Sequence, residues 1–226
     1  MTKNSKYRKV SARRSDSYEI EACEDGTEEV SNVMASTKNL NVIYSLNNHL
    51  YYYKDIDSEG SALFCKTISE MYYNIISSML STGLTNPVIE LHINSEGGDF
   101  SAAAAMASKI EEVKKGFGPV PIPMKVITHV EGESCSGGSL MSVVGSERTI
   151  SRYSFMLIHK ASSGFVGKTE DMKDHVKNIE LVNSIMKTIY KENSKLSEEE
   201  LDKIMDKDLY FSPEDCVKHG LVDRII

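Results

Sequence analysis

No apolar run in this chain comes near the roughly 18–20 residues that a bilayer crossing requires, so no membrane partner is expected. The first residues are polar and lack an apolar h-region, which argues against a secretory leader. Cysteine is sparse. Cys23, Cys65, Cys135 and Cys216 are widely scattered, with neither the paired spacing of a zinc site nor a disulfide framework. That usage fits a reducing, cytoplasmic setting. Positive charge is short as well: 26 Lys and Arg stand against 33 Asp and Glu, a formal net charge of −7. Such a balance favours solubility and argues against nucleic acid as the main partner. With 226 residues, 40% of them hydrophobic and 26% charged, the chain suits one generous globular domain with an unstructured extension.

The extension is expected at residues 1–38. Lys3, Lys6, Arg8, Lys9, Arg13 and Arg14 form a basic block, and Glu19, Glu21, Glu24, Asp25, Glu28 and Glu29 an acidic one. Apolar side chains there are too few to offset the entropy of ordering the chain. The segment reads as a flexible tail, a cleaved propeptide, or a piece that orders only in an assembly. From residue 39 to 226 strands and helices alternate. Val42-Ile43-Tyr44 and Leu50 to Tyr53 read as short strands; Phe64, Ile68, Met71, Tyr72, Ile75 and Met79 recur at helical spacing, with Gly83 closing the helix. Val88 to Ile93 is rich in Val, Ile and Leu like a buried parallel strand. A glycine turn at Asn94 to Asp99 leads into the alanine-rich helix Ser101 to Val113, and Met124 to Val130 is the next strand. Beyond His159 a long helix carries Met172, Val176, Ile179, Val182, Ile185, Met186 and Ile189 on one stripe. Ser197 to Glu200 has capping-box form, and Ser212-Pro213 opens a last helix that Gly220 closes before the terminal strand Leu221 to Ile226. Repeated strand–helix units imply an α/β fold built on right-handed crossovers.

Chemistry concentrates at four places. Ser136, in Gly132-Glu133-Ser134-Cys135-Ser136-Gly137-Gly138, falls between a strand and a short helix, with glycines at the bend. A serine hydroxyl attacks carbonyls only if a base takes its proton and donors receive the developing oxyanion. His159, ending the apolar run Phe155 to Ile158, is the candidate base, and Asp206 or Asp208 the group that orients it. Gly137 opens a helix and Gly97-Gly98 follows a parallel strand, so both turns could offer backbone N–H groups to an oxyanion. Each piece alone has an ordinary explanation: a helix cap, a strand-end histidine, a solvated acidic pair, a glycine turn. Together, in the order Ser…His…Asp, they point to a serine peptidase.

These segments resemble the proteolytic subunit of the Clp protease (ClpP, peptidase family S14) from about Leu50 to the end. Ile93-Asn94-Ser95-Glu96-Gly97-Gly98 is similar to that family's I-N-S-P-G-G, and Gly132 to Gly138 to its G-Q-A-A-S-M-G. Met156-Leu157-Ile158-His159 is similar to M-I-H, Asp206 to Glu214 to D-R-D-x-F-M-S-A-x-E, and Cys216 to Asp223 to A-x-x-Y-G-L-I-D. The resemblance implies a ClpP/crotonase-like fold of repeated strand–strand–helix turns with a protruding handle helix. It implies a triad of Ser136, His159 and Asp208, with Asp206 as the fallback, and oxyanion donors at Gly98 and Gly137. It also implies hydrolysis of unfolded polypeptides through an acyl-enzyme, inside rings that are heptameric and can stack as a tetradecamer, fed by an AAA+ unfoldase that uses the ATP. The same resemblance implies that the peptidase itself takes no metal or other cofactor. Four departures stand out: Glu96 for proline, Gly137 for methionine, Lys160-Ala161 for Gln-Pro, and Lys207 for an arginine whose bidentate fork lysine lacks.

Other functions fit parts of this pattern. A phage-type head maturation protease of the same fold would suit the long charged tail, and a non-catalytic ring subunit would need no aligned triad. An acyl-CoA enzyme of the crotonase type shares the oxyanion turns but has no need of the Ser-His-Asp set.

Overall fold

The computed structural model describes residues 42–226 except 84 and 120; the charged segment 1–38 lies outside them. Among the described residues an eight-stranded sheet runs in the order β1-β2-β3-β4-β5-β8, with β6 beside β4 and β7 beside β6. Its strands are β1 (Val42–Leu46), β2 (His49–Tyr53), β3 (Val88–Ser95), β4 (Lys125–Cys135), β5 (Glu147–Ile150), β6 (Phe155–Leu157), β7 (Tyr210–Phe211) and β8 (Arg224–Ile225). The hairpin β1–β2 and the pair β6–β7 are antiparallel, and every other pairing is parallel. The helices are α1 (Ser58–Thr82), α2 (Phe100–Lys115), α3 (Gly137–Val143), α4 (Thr169–Asn193), α5 (Glu198–Met205) and α6 (Pro213–His219). No described helix is long and apolar enough to cross a membrane.

Strand alternation sorts the side chains. Leu50 and Tyr52 of β2, Ile89, Leu91 and Ile93 of β3, and Val126 and Val130 of β4 are fully buried. They share one core with Phe64, Ile68 and Tyr72 of α1 and Met106 and Ile110 of α2. The helices begin where the sequence supplies caps. Asp57 and Asp99 accept from the backbone N–H of Gly60 and Ala102 at 2.6 and 2.7 Å, opening α1 and α2. Ser197 and Glu200 form the expected capping box of α5, and Ser212, Pro213 and Gly220 bound α6.

Three local features differ from the sequence expectation. Strand β4 continues to Cys135 rather than stopping near Val130, because its last three residues find a new neighbour. Ile127 to Val130 pair with β5, whereas Glu133 to Cys135 pair with β6. The change happens at Gly132, whose φ of +93° is open to glycine. A Cβ there would lie 2.7 Å from Asn94 Oδ1. Strand β5, Glu-Arg-Thr-Ile, has no alternating apolar pattern; it is held by its neighbours in the sheet rather than by its own composition. Helix α4 buries only Met186 and Tyr190, so Met172, Val176 and Ile185 of its expected apolar stripe stand exposed, as does Leu181 outside it.

Near the sheet edge, Arg148 of β5 fastens the C-terminal strand. Its Nη2 donates to Asp223 Oδ1 at 2.6 Å and its Nη1 to the carbonyls of Gly220, at 2.9 Å, and Asn193. Burial pushes the Asp223 carboxyl up, but its hydrogen bonds from Arg148 outweigh that and hold it below its ordinary 3.8. A carboxyl that titrates lower when folded stabilises the fold above the unfolded value, and the contribution fades as pH falls through the folded one. Asp223→Asn is therefore expected to lower the thermal midpoint at pH 7, with the gap to wild type closing as the pH drops below about 4. Thermal melts across pH 3–7 check this, and a gap that widens in acid would contradict it.

Candidate active site

The handover of β4 from β5 to β6 delivers Ser136. Cys135 pairs with Leu157, so the next residue on each strand emerges side by side. Ser136 N–H donates to Leu157 O at 2.8 Å, while His159 lies two residues past Leu157 and just beyond the strand end. Ser136 adopts φ +51°, ψ −118°, a conformation that costs a non-glycine residue about 1–3 kcal/mol. Although it precedes α3, its hydroxyl makes no capping hydrogen bond. The capping reading of this serine therefore does not hold.

The carbonyl of Ser136 is held instead. Ser139 Oγ donates to it at 2.6 Å, which uses the one hydroxyl proton of Ser139. Tyr190 OH then donates to Ser139 Oγ at 2.7 Å, from a ring that is completely buried in α4. Burial raises the Tyr190 phenol well above its ordinary value, so it stays protonated as this donor role requires. Neither residue stands out in the sequence: Ser139 is one of several serines near the start of α3, and Tyr190 falls outside the apolar stripe of α4. A hydroxyl three residues after Ser136 was the only local signal.

His159 Nδ1 lies 3.0 Å from Asp208 Oδ1. An ionised carboxylate only accepts, so Nδ1 carries the proton and Nε2 keeps its lone pair. Asp206 goes elsewhere: its carboxylate takes the ammonium of Lys160, the residue after His159. The two acidic candidates of the sequence are thus separated by partner. Lys160 N–H donates to Met205 O at 2.9 Å and Ala161 N–H to Asn183 Oδ1 at 2.8 Å, tying the backbone after His159 to α5 and α4.

The two glycine turns meet. A Cβ on Gly97 would come within 2.7 Å of Ser136 Cβ and 3.0 Å of Gly137 N. Gly98, at φ +144°, runs against Ile56: the neighbouring Asp99 N–H donates to Ile56 O at 2.9 Å, and Ile56 N–H donates to Gly97 O at 2.6 Å. Gly137 is buried, and a Cβ on it would touch Ala103 at 3.0 Å and Ile56 Cδ1 at 3.1 Å. Among the described residues neither Gly98 N–H nor Gly137 N–H donates to a protein acceptor. Ser136, His159, Gly98 and Gly137 line one cleft of about 480 Å³, with Glu96 at its wall and Val182 and Met186 of α4 opposite.

Charge at this end of the sheet is negative. Burial raises the Glu133 carboxyl, and the nearby Glu96 charge raises it further. Cys135, adjacent to Ser136, is buried; burial and then Glu133 push its thiol up to about 12. It is a neutral thiol at pH 7 and a poor nucleophile beside Ser136.

A mixed, mostly parallel sheet packed with helices, with its cleft at strand-end turns beside a forked central strand, is the α/β architecture of the ClpP fold. A ClpP1 mutant from Listeria monocytogenes superposes with a TM-score of 0.66 at 19% identity, covering 80% of this chain and 91% of that one. The family model for Clp protease matches residues 45–226, and the chain belongs to that family of peptidases. It is also 29% identical over 162 residues to the ATP-dependent Clp protease proteolytic subunit of Deinococcus radiodurans, spanning 70% of this chain and 75% of the relative.

The turn contact sets a stability test. A Cβ on Gly98 would sit 2.1 Å from Ile56 O, whereas one on Gly83, at φ +72°, meets nothing within 4 Å. Gly83→Ala should cost about 1 kcal/mol from its backbone angle alone. Gly98→Ala should cost several-fold more and lower the melting temperature correspondingly. Thermal denaturation of both variants checks this, and equal losses would contradict the contact.

Proposed function

We propose that this chain is a serine endopeptidase in which Ser136 is the nucleophile, His159 the general base and Asp208 the residue that orients it. The observation that carries the reading is the strained, uncapped Ser136 placed next to Leu157 by β4–β6 pairing, in one cleft with a histidine whose Nδ1 is bound to Asp208. With Nδ1 occupied, Nε2 is the nitrogen left to take the Ser136 proton. As Ser136 Oγ bonds to the peptide carbonyl carbon, the carbonyl oxygen becomes an oxyanion, received by the N–H groups of Gly98 and Gly137. Gly137 N–H is the first of helix α3 and has no partner within the helix. The protonated His159 then gives its proton to the leaving amine, and the C–N bond breaks. Water, deprotonated by His159, attacks the ester; His159 returns that proton to Ser136 Oγ as the C–Oγ bond breaks and the second peptide leaves.

The assembly reading rests on surface chemistry and on kinship. Met172, Val176, Leu181 and Ile185 along α4, together with Leu46 and Tyr153, are large exposed apolar groups. Groups of this kind suit burial between copies of the chain. An ATP-driven partner accords with the name of the Deinococcus relative, an ATP-dependent proteolytic subunit, and rings that enclose the clefts and receive unfolded polypeptide are the form that membership of the Clp protease family favours. The setting is the cytoplasm.

Turnover of a short fluorogenic peptide tests the mechanism. Ser136→Ala is expected to abolish it, and Asp208→Asn to lower kcat by about 10⁴, the scale of losing the correct imidazole tautomer. Asp206→Asn should cost far less, because Asp206 faces Lys160. Full turnover in Ser136→Ala, or equal losses in the two aspartate variants, would contradict the assignment.

A further inference from the structure

The face of the sheet opposite the helices carries a polar cluster that peptide hydrolysis does not use. Alternation in β2, β3 and β4 puts His49, Tyr51 and Tyr53, Glu90 and His92, and His129 and Glu131 on this side. His49 is paired directly with Glu90 across β2–β3, and His92 with His129 across β3–β4. Three donor atoms, one each from His49, Glu90 and His92, lie within 4.8 Å of one another. His49 Nδ1 is 2.9 Å from His92 Nε2 and 3.9 Å from Glu90 Oε2.

We infer that His49, Glu90 and His92 form a binding site for one divalent transition-metal cation of the zinc class. Bonds of about 2.0–2.2 Å to imidazole nitrogen and carboxylate oxygen place neighbouring tetrahedral donors a little over 3 Å apart, so the separations here bracket that edge. Imidazole with carboxylate and no thiolate suits zinc, cobalt and nickel rather than the oxygen-only preference of magnesium or calcium.

The outer contacts argue the same way. His92 Nδ1 lies 2.8 Å from Glu131 Oε1. A carboxylate accepts only, so His92 carries its proton on Nδ1 and turns the Nε2 lone pair toward His49. This is the carboxylate–histidine arrangement that orients and strengthens a metal-binding imidazole. Glu131 is itself held by the hydroxyl of Tyr53. The carboxylate of Glu90 is positioned by His129 Nε2 at 3.1 Å, and His129 Nδ1 is bound to Thr149 Oγ1 at 2.7 Å. The His92 ring is clamped between Tyr51 and His129, with ring centroids 4.4 and 4.7 Å away. Two of the three donors are therefore locked by their own supporting shell.

The third, His49, has a side chain 34% exposed, against 12% for His92, so the site opens toward solvent at His49. With neutral histidines, Glu90 and Glu131 leave the cluster with two negative charges, which favours a cation. On metal binding His49 moves its proton from Nδ1 to Nε2, and Nδ1 becomes the ligand. Three protein donors leave a coordination position for water.

Titration of the full chain with Co²⁺, followed by visible d–d absorption, tests the site. One equivalent per chain should give saturable bands that Zn²⁺ abolishes and Mg²⁺ does not. His49→Ala and His92→Ala should each lose the bands, and Glu131→Gln should keep them with affinity weakened about 10- to 100-fold. His175→Ala, on α4, should change nothing. No saturable binding by the wild type would overturn the inference, as would binding that survives both His49→Ala and His92→Ala, or a loss in His175→Ala equal to theirs. Circular dichroism confirms that each variant is folded, and the more exposed His49 decides the matter if His92→Ala is not.

Discussion

Two backbone turns in contact set the terms for the rest of the structure. Gly97-Gly98 ends β3 and Ser136-Gly137 ends β4, and they approach so closely that a single Cβ on Gly97 would meet Cys135 O at 2.6 Å. Glycine is required there by space as well as by its positive φ. The contact gathers a serine and two backbone donors at the carboxyl ends of parallel strands, where α/β sheets form their clefts. It depends in turn on Gly132, which lets β4 leave β5 and join β6. Without that bend Ser136 would continue beside β5, away from Leu157 and His159.

The strain at Ser136 is offset by the surroundings. Its N–H is held by Leu157 and its carbonyl by Ser139, which answers to the buried Tyr190. The hydroxyl is the one polar group of the residue that makes no local hydrogen bond as a cap. A serine shaped in this way is positioned by its backbone, and its side chain is left for chemistry. Helix α4 supplies both Tyr190 behind the turn and Val182 and Met186 at the cleft wall. The helix that bears the exposed apolar stripe is therefore mechanically joined to the serine.

Much of this was readable in the sequence, because the signals were local. The apolar run of β3, helical spacing in α1, the caps of α5 and α6, and the glycines at 97, 98, 132 and 137 all lie within a few residues of what they determine; that every second residue of β3 is only partly covered was not read. The choice between Asp206 and Asp208 was not local. Neighbouring residues give the two carboxylates the same appearance, and only the fold sets them beside different partners, Lys160 for Asp206 and His159 for Asp208. The second half of β4 escaped notice because Gly132 and two glutamates interrupt its apolar run. The histidine cluster was hidden for a different reason. Its members come from three strands, and each looks like the ordinary polar half of an alternating strand. The available signal was that this half carries His and Glu where Thr, Ser or Lys would serve.

The proposed mechanism requires Ser136 Oγ to attack an electrophile, which a serine without an aligned base does not do. Reaction of the wild-type chain with a fluorophosphonate, followed by intact mass and tandem mass spectrometry, measures this directly. One phosphonyl adduct per chain is expected, with phosphorus bonded to Ser136 Oγ and fluoride released. No adduct, or an adduct spread over other serines or found on Cys135, would contradict the mechanism.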